Sequence, residues 1–94
     1  MTDEAKLRQE VTRGERAKRL LENELLAEAL EKIEKQIDDA WKESHADAEE
    51  IRRNAYLMHR LLQNLKSEIS RIAITGDHAS KKITTIKKPL RIFG

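Results

Sequence analysis

Three histidines, His45, His59 and His78, are the side chains best suited to hold a metal ion or move a proton near neutral pH. No two of them stand four residues apart, as a helical metal pair requires, and no HExxH sequence is present. The chain has no cysteine, which excludes both a thiolate zinc site and a disulfide framework. Asp38 and Asp39 are adjacent, so on a helix they diverge and make a poor acid/base pair. No glycine-rich phosphate loop, nucleophile elbow or GKS/GKT element occurs. The expectation is a protein with no catalytic residues, no metal and no cofactor.

What remains is the chemistry of clustered positive charge. One patch holds Arg13, Arg16, Lys18 and Arg19, interspersed with Glu10, Glu15, Glu22 and Glu24. A second holds Lys81, Lys82 and Lys87, then Lys88 and Arg91, against Asp77 alone in the last eighteen residues. The preceding 76 residues carry 14 basic and 16 acidic groups, so a mildly acidic body precedes a basic tail. Neither a helix-turn-helix nor a zinc finger accompanies the patches. The contact they predict is with a nucleic-acid backbone, weak in sequence preference. The basic residues Arg52, Arg53, Arg60, Lys66 and Arg71 are interleaved with acids and read as a solvated helix face.

The elements that would position these groups are helical. Charged residues make up 38% of the 94-residue chain and aromatics 3%, a profile of long solvated helices. An apolar ladder, Ile51, Ala55, Met58, Leu62, Leu65, Ile69 and Ile72, steps alternately four and three. A matching ladder precedes it: Leu26, Leu30, Ile33, Ile37 and Ala40. Two such stripes joined by a polar turn predict an all-α fold built on a long, coiled-coil-like antiparallel helical hairpin. Its helices are expected over 15–43 and 48–75, with the turn at 44–47 and Asp47 and Glu50 as a capping box. Trp41 is expected to close the turn end of the core.

Residues 1–14, ending at Gly14, form an N-terminal arm or short helix in this reading, and Gly76 ends the second long helix as a left-handed C-cap. Asp77 to Lys82 has room for one further turn, but Ile83-Thr84-Thr85-Ile86 is β-branched and Pro89 forbids a continuing helix. Residues 77–94 therefore read as an extended basic tail with two alternatives open: it pairs as a β-strand with a partner or another copy on assembly, or it folds back on the hairpin. Leu21, Leu25, Leu57 and Leu61 widen the two stripes beyond what one hairpin covers. With no cysteine or metal motif to staple so small a core, self-association is expected, with these four leucines at the oligomer interface. No stretch approaches the roughly 20 apolar residues of a membrane span, so the expected setting is soluble and intracellular, without a membrane partner.

Arg13-Gly14-Glu15-Arg16-Ala17-Lys18-Arg19-Leu20-Leu21-Glu22-Asn23, followed by Glu28-Ala29-Leu30, resembles the RGxxAxxLLxN opening of short helical phage and prophage proteins. Ala40-Trp41, Asp47, Leu65 and the trailing Gly76-Asp77-His78-Ala79-Ser80-Lys81 fit the same loose pattern, which covers most of residues 13–82. Some of these proteins look like small terminase subunits of tailed phages and gene transfer agents. That resemblance implies a non-catalytic hairpin that assembles into a homo-oligomeric ring, binds DNA and presents it to the large terminase subunit, in the cytoplasm of a bacterial host. Many members also carry a helix-turn-helix domain, for which the first fourteen residues leave no room. In several, C-terminal segments form a β-barrel along the ring axis. The competing expectation is a helical-hairpin adaptor or scaffold whose C-terminal tail binds another protein without DNA.

Overall fold

A computed structural model describes residues 3–87 of the chain. They form three α-helices, α1 (Asp3–Glu22), α2 (Glu24–Glu43) and α3 (Glu49–Lys87), and no strand occurs among the described residues. No helix among them is long and apolar enough to cross a membrane. The chain divides into two compact units. One holds α1 up to Leu20 with α3 from Ile69; the other spans Leu21–Glu68.

The helix boundaries depart from those expected at three places. The long helix expected over 15–43 is divided at Asn23, which adopts an extended backbone (φ −72°, ψ 116°). Its side-chain Oδ1 accepts a hydrogen bond from the Leu26 N–H at 2.8 Å, and its carbonyl accepts from the Ala27 N–H at 3.0 Å. Asparagine competes for nearby backbone groups and is among the best N-cap residues, so a single Asn starts a new helix inside a run of strong helix formers. In the opposite sense, Gly14 ends nothing: α1 runs through it.

Gly76 is likewise interior to α3, and no glycine among the described residues has a positive φ. The expected C-cap is therefore absent, and Asp77–Lys87, assigned above to an extended tail, is helical. Thr84 and Thr85 fit the helix by donating their hydroxyls to the Ser80 and Lys81 carbonyls, each at 3.0 Å. The β-branched penalty is only a few tenths of a kcal/mol per residue, small enough for the continuing helix to absorb. The expectations placed on Lys88, Pro89, Arg91 and the apolar Leu90, Ile92 and Phe93 lie outside the described residues.

The Leu21–Glu68 unit pairs α2 with the first part of α3. Ile37, Ala55 and Leu62 are its buried apolar side chains, with Leu30 packed against them. Glu34 accepts from the Lys66 ammonium and, at 3.4 Å, from Gln63 Nε2. The contacts descend α2 as they climb α3. At the connection, Ser44 caps α2 with both its N–H and its hydroxyl on the Trp41 carbonyl. Arg52 donates to Ser44 Oγ at 3.1 Å and stacks over the Trp41 ring, 4.0 Å from its centroid. Trp41 therefore serves as a partly exposed platform for a cation and not as the buried plug expected. Helix α3 starts one residue late, with Ala48 in the cap position and its carbonyl accepting from Arg52 N–H, while Asp47 contributes its own carbonyl to the Glu49 N–H.

In the other unit small residues replace large ones at the helix contact. Gly14 and Ala17 of α1 are buried, as are Ala73, Gly76 and Ala79 of α3. A Cβ placed on Gly14 would stand 2.6 Å from the Gly76 Cα, and one on Gly76 would stand 2.9 Å from the Glu10 carbonyl oxygen. The two backbones are in contact, which is why glycine is required at both positions. Lys18 and Asp77 form an ion pair beside this crossing, half exposed and therefore a minor contribution.

Opposing effects make the glycines diagnostic. Gly→Ala in an ordinary helix interior stabilises by about 1 kcal/mol. Here the added methyl meets backbone that cannot rotate away. Gly14→Ala and Gly76→Ala are each expected to lower unfolding free energy by about 1–3 kcal/mol in urea titrations. A gain in stability for either variant would mean that α1 and α3 do not cross there.

Candidate assembly face and basic surface

Two helices side by side have two open sides, and in the Leu21–Glu68 unit these differ in character. On one side Ile33, Ala40, Ile51 and Met58 surround a hollow of about 260 Å³, with Gln36 and Asn54 as its polar members. On the other, Asp38, Trp41, Tyr56 and His59 surround a hollow of about 240 Å³. Ile37 and Ala55 line both, so they form the floor between the two sides.

The first side continues along both helices by helical spacing. Leu61 and Leu65 follow Met58 at i+3 and i+7, and Leu25 precedes Ile33 at i−8. Of the four leucines expected at an oligomer interface, Leu25 and Leu61 lie on this side and are 74% and 68% exposed. Leu57 is at its outer edge and Leu21 is in the last turn of α1, both exposed. Ile33, Ile51, Met58 and Leu65 were read as intramolecular ladder, yet all four are exposed as well. Of the seven-membered ladder only Ala55 and Leu62 are buried. The width of the apolar stripe was the available signal, since one neighbouring helix shields only the positions nearest it.

The other side is polar. The Lys66 hydrogen bond holds the Glu34 carboxyl below its ordinary value of 4.5, with the Lys66 charge and the Gln63 hydrogen bond acting in the same direction against partial burial. His59 shares its hollow with Asp38 and Tyr56, His45 is in the connection, and His78 is on α3. Among the described residues no three His, Cys, Asp or Glu side chains are grouped to hold a metal ion.

The predicted basic residues that are described all belong to the α1–α3 unit. Arg13 and Arg16 border an apolar hollow of about 230 Å³ with Ala17, Leu20, Ile69 and Ile72. Arg19, Lys81 and Lys82 are exposed, and Lys18 pairs with Asp77. The two patches share a unit without merging. Arg16 lies beside Ile69 and Ile72, on one side of the Gly14–Gly76 crossing, whereas Lys81 and Lys82 lie on α3 beyond it. Within the described residues this unit has ten Lys and Arg against five Asp and Glu, a net of +5. The Leu21–Glu68 unit has seven against twelve, a net of −5. A linear division into body and tail hides this contrast, because the basic unit is assembled from both ends of the sequence.

Comparison with protein-family models, with curated proteins and with solved structures finds no match to this chain.

A lowered carboxyl pKa in the folded state means stability that is present above the unfolded value and lost as pH falls through the folded one. Glu34 is therefore expected to add to acid destabilisation below about pH 4.5. Urea midpoints recorded across the acid range should fall more steeply for the native protein than for Glu34→Gln. Parallel profiles would show that the Lys66 contact has no effect on stability.

Proposed function

We propose that this chain is a non-catalytic assembly protein of the small-terminase-subunit kind. Copies of its helical hairpin associate through exposed apolar side chains into a closed ring. The basic α1–α3 unit engages the phosphate backbone of duplex DNA, and the assembly presents that DNA to a large terminase subunit in the bacterial cytoplasm. No cofactor enters this reading.

The observation that carries it is the exposure of large apolar side chains in the Leu21–Glu68 unit, Ile51 and Met58 by 55% and 54% among them. Contiguous apolar surface of this kind marks an interaction site on a soluble protein. The net charge of +5 on the other unit supports DNA as the ligand. Tail residues Lys87, Lys88 and Arg91 belong to the same proposed DNA contact.

A second reading has its own observation. Ile86, in the C-terminal tail segment, is 60% exposed, and an adaptor or scaffold docking another protein through that tail would use it without DNA.

Two measurements test the proposal. Native mass spectrometry of the full chain should give a discrete multimer that Leu57→Glu with Leu61→Glu disperses; an intact multimer in that variant would remove those leucines from the interface. Binding to a short DNA duplex should weaken at least tenfold between 50 and 200 mM salt, and Arg13→Gln with Arg16→Gln should reduce the log–log salt slope by about 2. A salt-insensitive affinity, or no binding, would favour the adaptor.

A further inference from the structure

The self-association proposed above leaves open which surface meets which. We infer that the Leu21–Glu68 unit pairs with a second copy of this chain isologously, the face around Ile33, Ile51, Met58 and Leu61 packing against the same face of its partner about a two-fold axis. This rests on the proposed self-association and specifies its geometry.

Three observations favour a like-with-like pairing. The first is one-sidedness. A heterologous contact needs two different complementary surfaces on each copy, whereas a two-fold contact needs only one. The unit has a single extended apolar face; its opposite side carries Glu34 with Lys66, Asp38 and Arg52.

The second is charge. At a net of −5 the unit repels a copy of itself wherever its charged residues come together. The hollow between Ile33 and Met58 is free of charge, and its polar members are the neutral amides Gln36 and Asn54. A carboxamide both donates and accepts, so each is complementary to its own copy across a two-fold axis. A strongly charged partner such as nucleic acid finds nothing to pair with on this face.

The third is area. Six side chains on the face, Leu25, Ile33, Ile51, Met58, Leu61 and Leu65, are 42–74% exposed. At roughly 190 Å² for a fully exposed residue, complete cover of all six would remove at most about 650 Å² per copy and about 1,300 Å² for a pair, at the low end of the ~1,200–2,000 Å² of stable interfaces. The result is a four-helix layer pair in which Ile33, Ile51 and Met58 acquire the cover a single chain lacks. By itself this pairing closes at two copies. A ring needs a second, different contact between such dimers and then contains an even number of copies, so a bare dimer would uphold the pairing and overturn the ring.

The absence of cysteine permits a direct test. Single substitutions Gln36→Cys, Asn54→Cys and Leu61→Cys, all at exposed positions, are treated with a short bismaleimide alongside Asp38→Cys on the opposite side. An isologous face brings residues near the axis against themselves. At least one of the three should give a covalent dimer in high yield, while Asp38→Cys stays below a tenth of that. Native mass of the unmodified full chain is measured in parallel.

An even-numbered multimer with face-specific self-linking is the expected result. An odd-numbered multimer, or self-linking at none of the three or equally at Asp38→Cys, overturns the isologous pairing while self-association stands. A monomer at 10.9 kDa overturns both. Failure to bind DNA by a face-linked dimer would count against the DNA reading alone.

Discussion

Two helices lying side by side shield only the side chains between them, and most of what is distinctive about the Leu21–Glu68 unit follows from that limit. Each helix carries an apolar stripe wider than the contact it makes. Ile37, Ala55 and Leu62 occupy the shared seam and are buried. Ile33, Ile51, Met58 and Leu65 belong to the same stripes by spacing but face outward on one side. The hydrophobic effect acts on that surface as on the seam, so its exposure to water in a single chain is unfavourable. The polar connection holds the pair in register with a different kind of contact: a cation over an aromatic ring and two hydrogen bonds at the Ser44 hydroxyl.

The α1–α3 unit meets the same limit in the opposite way. Its contact is made by glycine and alanine, which bury little apolar area but let the backbones touch. Close approach gains dispersion in place of side-chain burial. It leaves the long basic side chains of α1 and α3 at the surface, where they are free to define the charge of the unit.

The resulting division of labour is chemical. The Leu21–Glu68 unit is acidic outside its apolar face, and the other is basic. The two surfaces differ in their response to salt: burial of apolar area is nearly unchanged by it, whereas Coulomb attraction is screened.

Much of this was legible in the sequence alone. Heptad spacing determined that the chain is helical, that residues near 44–47 turn, and that the apolar stripes are too wide for their partner. The sequence also placed Arg13, Arg16 and Arg19 among exposed positions. Where the reading failed, the residue concerned has two opposite uses. Glycine ends a helix through backbone freedom or joins two helices through lack of a side chain, and only the position of the opposing chain at Gly14 and Gly76 chose the second. Asn23 is a tolerable interior residue or an N-cap, and the local backbone chose the cap. Thr84 and Thr85 suit a strand until their hydroxyls find the carbonyls one turn back. Periodicity fixes which residues share a stripe because it depends only on helical geometry. Which part of the stripe is covered, and which helices touch backbone to backbone, depends on what lies opposite, and only the tertiary structure supplies that.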